Sequence, residues 1–396
     1  MAIENARKAW VPLFLILAAL CVGVFSACGS SDDDSSSAAD TGASATEETS
    51  GGEDAGEDLL TGLYDGEFVA VPGSIPKAVS GKDVWFISCG EAFENCAKAS
   101  AAFKEAGNAL GWNVTVVDGE ANPAKANDLI KQGVAAKVDG IASIAWDCPT
   151  IKAGLLAARE ADIPTVNFGG FDCDYPEFGG GEPLFTKTVN SLGGASFEDY
   201  IEAYETARAD AMLALVGDGV KILSLEEQSL TNQRAKAKAF NSRVEEQCPD
   251  CEIVSVDWQF SQVPAAATQI WKSAIQSNPD ATVLANATDD IMNLGLRSAI
   301  QQSGRRDLFV MGGEGPPANI KLIREGLQSA ALAIPPGYAW QMWGEADTLN
   351  RIFAGEKQFP DEGGGWVLID QDHLPAEGDE VEFPDFRGEF TKAWEG

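Results

Sequence analysis

From residue 82 onward, short apolar runs alternate with longer stretches whose apolar positions recur every three or four residues. Runs of the first kind predict strands, and stretches of the second predict amphipathic helices. The repeat is clearest at 278–315. Asn278-Pro279-Asp280 reads as a turn and 281–286 as a strand. Asp289 then opens a helical pattern with Ile291, Leu294 and Ile300 on one face, Gly304 closes it, and 308–311 returns as a strand. A strand, a helix and a returning strand of this length form a right-handed crossover, so the sheet is parallel. Asp289 and Asp290 follow one strand and Glu314 the next, where such a sheet binds ligands.

The same alternation predicts strands at 82–89, 112–117, 140–145 and 164–168, joined by helices at 92–110, 122–136 and 149–160. Residues 171–183, with Gly179-Gly180-Gly181, read as an inserted surface loop. A strand at 185–189 and a helix ending at Leu215 follow. The alternation then restarts with strands at 220–225 and 252–256 and helices at 230–246 and 264–277, leading into 278–315. Beyond Glu314 come a helix to Glu325, a strand at 329–334, a helix at 337–353 and a strand near 366–369. Residues 370–396 read as acidic and irregular. The fold class is α/β: two Rossmann-like lobes with parallel sheets and a ligand cleft between them.

The N-terminus has a different pattern. Arg7 and Lys8 precede an apolar run from Trp10 to Phe25, too short for a comfortable membrane span and ending in small residues. It stops at Phe25-Ser26-Ala27-Cys28, which resembles the lipobox of bacterial lipoproteins, a family in which the Cys carries the lipid; here that is Cys28. Residues 1–27 are then the signal and 28–58 a tether, since 29–58 contain ten acidic residues and no basic one and bury no apolar area. Asp32-Asp33-Asp34 reads as a solvated charge run, because no calcium-loop spacing follows.

Charge and cysteines agree with export. The formal charge of −33 over 396 residues argues against nucleic acid and anionic lipid as partners. The length exceeds one ordinary domain. Outside Cys21 and Cys28 six cysteines remain, an even number that suggests three disulfides in an oxidising compartment. Locality pairs Cys89-Cys96, Cys148-Cys173 and Cys248-Cys251. A metal at Cys248 and Cys251 lacks further ligands nearby, the only histidine being His373.

With these elements in place the chain resembles a type I periplasmic binding protein of the ribose-binding branch, which serves ATP-driven sugar importers. The resemblance spans roughly 82–374. It rests on Gly111-Trp112 before a strand ending in Asp118, Asn122-Pro123, Val138-Asp139-Gly140-Ile141, Ala161-Asp162-Ile163-Pro164-Thr165-Val166, Asn190-Ser191-Leu192-Gly193-Gly194 and the 278–315 stretch. It implies three crossings between lobes, near Val189-Asn190, Ile334-Pro335 and Gly364 to Trp366. The first lobe would hold 82–189 with 335–364, and the second 190–334 with 365–396.

The resemblance also implies site residues. Phe93 matches an aromatic that packs on a sugar ring, or else is a core contact. Arg234 matches a ligand-binding arginine, with helix-surface charge among Lys236 and Lys238 as the plainer alternative. Asp289 matches an Asn or Asp of the cleft, or is a helix cap. Glu314 matches an acid that accepts two hydroxyls. Trp146, Asp147 and Tyr338 fall at cleft edges, as do Trp258, Phe260 and Trp340. Two anchors of the family are replaced: Asp-Arg by Gly169-Gly170, and a Gln by Ile334-Pro335.

The implied function is a lipid-anchored receptor on the outer face of the membrane, monomeric and without cofactor, passing a small sugar-like solute to an ABC permease. A receptor for an aromatic or nitrogenous solute, or a sensory ligand-presenting protein, fits the same residues. Catalysis is disfavoured: the chain has no Gly-x-Ser-x-Gly elbow and no Walker loop, and its lone His373 lies outside the alternating core.

Overall fold

A computed structural model describes residues 51–194, 196–376, 378 and 381–396, with side chains from 56 onward. The export segment, Cys28 and the tether up to residue 50 lie outside the described residues. The chain enters through α1 (Gly51–Asp65) and β1 (Glu67–Val69). It continues through β2 (Asp83–Ser88), α2 (Glu94–Ala109), β3 (Asn113–Asp118), α3 (Pro123–Ala136), β4 (Gly140–Ile144), α4 (Cys148–Glu160), β5 (Thr165–Phe168) and β6 (Lys187–Thr188). The second series is α5 (Phe197–Val216), β7 (Lys221–Glu227), α6 (Thr231–Gln247), β8 (Glu252–Trp258), α7 (Ala265–Ser277), β9 (Val283–Asn286), α8 (Arg297–Ser303), β10 (Phe309–Glu314), α9 (Pro317–Arg324) and β11 (Ala330–Ala333). The chain closes with α10 (Ala339–Ala354), β12 (Gly364–Asp370) and α11 (Phe386–Glu395).

Two sheets result. The first runs β3-β2-β4-β5-β6, all parallel. The second runs β1-β12-β11-β10-β9-β7-β8, parallel from β8 to β11. Its last two strands turn antiparallel, β12 on β11 and β1 on β12. Strands such as β4 (GIASI) are buried at every position because helices cover both faces, which is why they read as continuous apolar runs.

Local chemistry sets the element ends. Asn122 caps α3, accepting from Ala124 N at 3.0 Å and Lys125 N at 3.2 Å, and Pro123 fills the first helical position. The helix expected to open at Asp289 opens there, with Asp290 and Ile291 helical, but it passes through a π-turn over Met292–Leu296, with Gly295 at φ +139°. A Cβ at Gly295 would stand 2.2 Å from Thr268 Oγ1 on α7, so the close approach of that helix sets the distortion.

Both ends of the described chain depart from expectation. Residues 51–58, expected within the tether, form the first half of α1, which docks on the second lobe through the buried Leu63. Tyr64 donates to Asp370 Oδ2 at 2.5 Å and stacks on His373. Residues 386–395, expected as irregular chain of the second lobe, form α11, which packs on the first lobe. Phe386, Phe390 and Trp394 join the core around Trp340 and Trp343 there. Besides the three internal crossings, the chain therefore passes between lobes once after β1 and once after β12.

The bonded cysteines are Cys89–Cys96, Cys148–Cys173 and Cys248–Cys251. The first ties the loop after β2 to the first turn of α2, beside the cleft.

Candidate functional site

Glu314 ends β10 with φ +72°, a backbone region that costs a non-glycine residue energy and is held by its surroundings. Its N–H donates to Tyr204 Oη at 2.7 Å, and that hydroxyl donates to Leu332 O at 2.5 Å. The carboxylate is thereby turned into the space between the lobes, where it is 4 % exposed. Oε2 accepts from Asn95 Nδ2 of α2 at 2.8 Å. Oε1 accepts from Lys236 Nζ of α6 at 3.2 Å and from the Tyr338 hydroxyl. Lys236 also donates to Tyr338 Oη at 3.1 Å. Tyr338, itself at φ +54° before α10, packs on Phe168 of the first lobe. Burial, and then the Glu314 charge, push the Tyr338 phenol up, so it stays a donor.

Around this centre the lobes touch at several points. Phe93, at the start of α2, meets Phe260 of the second lobe edge to face at 5.5 Å. Asn232 Nδ2 donates to Gly169 O at 2.6 Å, so a backbone carbonyl stands where Asp-Arg was missing. Asp147 accepts from Phe171 N at 3.0 Å, and burial pushes its carboxyl up. A small cavity of about 10 Å³ lies within the second lobe, with Arg208, Glu227, Gln233, Trp258, Asn286 and Thr288 in its lining. Both amide atoms of Asn286 lack a protein partner, which suits one buried water.

Three expected site residues lie elsewhere. Trp146 is 3 % exposed, and its indole is packed into the first-lobe core, donating to Ile87 O at 3.3 Å. Gly119 makes the room: a Cβ there would stand 2.4 Å from the ring. Arg234 turns to the rim, where it donates to Gln228 O, Thr231 Oγ1 and Glu177 of the inserted loop. The cation that reaches Glu314 is Lys236. Two residues apart on a helix are about 200° apart, so only one of the pair can face inward. Asp289 is fully buried within the second lobe, accepting from Gly315 N at 2.9 Å and Gln328 Nε2 at 3.1 Å. Its neighbour Asp290 faces the first lobe instead. Of the other aromatics, Trp258 and Trp340 are core residues, and Phe260 alone reaches the cleft.

Sequence reasoning missed Asn95 and Lys236 as site residues. Each carried a signal, because each extends a buried helical stripe at its N-terminal end. Asn95 precedes Ala99 and Phe103, and Lys236 precedes Phe240 and Val244, at intervals of four. A polar residue at the head of an inward stripe is the mark of a group aimed at the cleft.

Comparison with known proteins agrees with this architecture. The family model for the periplasmic binding protein domain matches residues 84–349. The ribose import binding protein RbsB of Escherichia coli is 24 % identical over 261 residues, covering 65 % of this chain and 79 % of that protein. The D-apiose import binding protein of Actinobacillus succinogenes is 24 % identical over 247 residues, covering 61 % and 72 %. Among solved structures, an ABC transporter solute binding protein from Mycobacterium smegmatis with bound glycerol aligns at TM-score 0.60 and 18 % identity, covering 76 % of this chain and 100 % of that one. One from Agrobacterium vitis with bound D-fucose aligns at TM-score 0.60 and 18 %, covering 74 % and 96 %. The two sheets, the crossings between them and a family match across well over half its length make this chain a member of the periplasmic binding protein family.

Proposed function

We propose that this protein is a lipid-anchored, extracytoplasmic, monomeric receptor that binds a small sugar-like solute between its lobes and presents it to an ABC permease. The observation that carries this reading is Glu314, a carboxylate held in a strained backbone conformation between the lobes and met there by Asn95, Lys236 and Tyr338. An acid so placed accepts paired hydroxyls, and the relatives are importer proteins named for ribose and apiose. The solute-facing set we propose is Phe93, Asp147, Glu314 and Tyr338, with Asn95 and Lys236 added. For lobe boundaries we propose 82–189 with 335–364 for the first and 190–334 with 365–370 for the second. To these we add α11 on the first lobe and α1 on the second. The role is binding and closure, not catalysis. The export pattern supports an anchor at Cys28; Cys28→Ala is expected to release the protein from the membrane fraction.

The test is thermal unfolding of the full chain against pentoses, hexoses, polyols, nucleosides, amino acids and aromatic acids. A solute at 100 times its Kd stabilises by about 2.7 kcal/mol. A sugar or polyol response lost in Glu314→Ala supports the reading. A response only to an aromatic or nitrogenous solute keeps the receptor and overturns the sugar, and silence across the panel overturns solute delivery.

A further inference from the structure

One helix of the second series belongs to both lobes. α5 begins just after the first crossing, and its opening residues Phe197, Tyr200 and Ile201 are buried in the first-lobe core with Val166, Phe168 and Trp340. One turn further on, Tyr204, Ala209 and Met212 are buried in the second-lobe core with Met311, Leu332 and Trp366. Positions 197, 200, 201 and 204 recur every three or four residues, so a single buried stripe carries the helix from one lobe to the other. Phe168, the last residue of β5, is where that stripe meets the first lobe. Its ring centroid lies 5.4 Å from those of Phe197 and Tyr200 and 5.6 Å from that of Tyr338, all at favourable ring separations. Tyr200 in turn stacks on Tyr204 at 6.3 Å, with the ring planes 8° apart. The Tyr200 hydroxyl has no hydrogen-bond partner, so what Tyr200 contributes is its ring.

Two aromatic arms therefore run from Phe168 in the first lobe to Glu314 in the second. The short arm is Tyr338, whose hydroxyl donates to Glu314 Oε1. The long arm passes through Tyr200 to Tyr204. The Tyr204 hydroxyl accepts from Glu314 N at 2.7 Å and donates to Leu332 O at 2.5 Å. One arm holds the carboxylate and the other holds the backbone that aims it. Leu332 stands two residues ahead of the second crossing at Ile334-Pro335, so the long arm also grips the chain as it leaves the second lobe. Glu314 at φ +72° and Tyr338 at φ +54° both occupy a backbone region that non-glycine residues keep only where their surroundings hold them.

We propose that Phe168, Tyr200 and Tyr204 are positioning residues for Glu314: together with Tyr338 they carry the placement of the first lobe to an acid borne by the second. The inference deepens the solute-delivery reading and rests on it for the role of Glu314 and for the movement of the lobes. Its consequence is that the site is completed by closure. Packed rings shift between discrete arrangements and do not deform smoothly. A change in how Phe168 meets Tyr338 and Tyr200 therefore loosens both holds on Glu314 together, and with them the contact between Glu314 and Lys236.

That contact supplies the measurement. Lys236 and Glu314 both lie in the second lobe, 3.2 Å apart, and Phe168, an apolar ring on the opposite lobe, can bond to neither. A double-mutant cycle of Lys236→Met and Glu314→Gln, read by urea unfolding of the full chain, gives the interaction between them. The cycle is then repeated in Phe168→Leu and in Tyr204→Phe. Each is expected to lower the interaction to less than half of its wild-type size. A residue that only packs the core destabilises all four members of the cycle alike and leaves the interaction unchanged. An unchanged interaction in Phe168→Leu, whatever Tyr204→Phe does, means that Glu314 is held within its own lobe and overturns the proposal. Tyr200→Phe keeps the ring and should match the wild type; a fall there would place the effect on a hydroxyl that the arms do not use and would overturn them. If Phe168→Leu does not fold, Tyr200→Leu interrupts the long arm alone, and an interaction of wild-type size in that variant overturns the proposal. No solute enters the measurement, so failure of the transport reading leaves the result standing, and failure of the arms leaves that reading intact.

Discussion

Glu314 and Lys236 show what a single pair contributes. Their side chains are 5 % and 4 % exposed and 3.2 Å apart, so each charge depends on the other for compensation. Lys236→Met is expected to cost about 3–5 kcal/mol in urea unfolding, because it leaves Glu314 buried without its cation. The double change Lys236→Met with Glu314→Gln is expected to recover most of that loss. Equal stability of both variants and the wild type would mean the pair is solvated. Glu314 was legible in the sequence because it follows a strand that had to end at a cleft. Lys236 was not chosen, since Arg234 offered the better chemistry in the same turn. Which of two residues 200° apart faces inward depends on how α6 is rotated about its axis, and that is set by the packing of Phe240 and Val244.

At the scale of elements, α11 is held by aromatic packing. Trp394 stacks on Trp343 at 5.3 Å and donates to Asp347 Oδ1 at 2.7 Å. Trp394→Ala is expected to destabilise by about 3–5 kcal/mol in denaturant unfolding, with the loss located in the first lobe. Gly170 constrains the loop after β5: a Cβ there would stand 2.3 Å from Trp146 O. Gly170→Ala is therefore expected to cost about 1–3 kcal/mol through forced backbone movement, read as a lowered Tm. Parallel strands were legible because a strand buried on both faces must be apolar throughout. α1 and α11 were not, because the acidic composition of α1 and of residues 370–385 ahead of α11 masked stripes that were present. Phe386, Phe390 and Trp394 are spaced by four, as are Leu59 and Leu63.

The whole molecule is tied by five passages between its lobes and carries an excess of buried acid. Burial raises the carboxyls of Asp289, Asp290, Glu345 and Glu362, Asp290 to about 7. For a group whose folded value is raised, the linked stability is full below its unfolded value, near 4, and is lost as pH rises through the folded value. The free energy of unfolding is therefore expected to fall between pH 6 and pH 8, and relief of the −33 charge at low pH acts in the same direction. Urea titrations at pH 6, 7 and 8 check this; constant stability would contradict it. Opening Cys148–Cys173 by paired serine substitution is expected to cost about 2–4 kcal/mol.

Periodicity, turn residues and the order of the elements are local properties, and they were enough to specify two parallel α/β lobes and a cleft at their strand ends. Glu314, Phe93 and Tyr338 could be placed at that cleft because they follow or precede predicted strands. The rotation of a helix, the partner of a buried carboxylate and the lobe on which a terminal helix docks are contacts between residues far apart in the chain. They decided that Lys236 rather than Arg234 meets Glu314, that Asp290 rather than Asp289 faces the first lobe, and that Trp146 belongs to the core. Distant parts of the chain come together only when both lobes have formed, and no local pattern encodes that meeting.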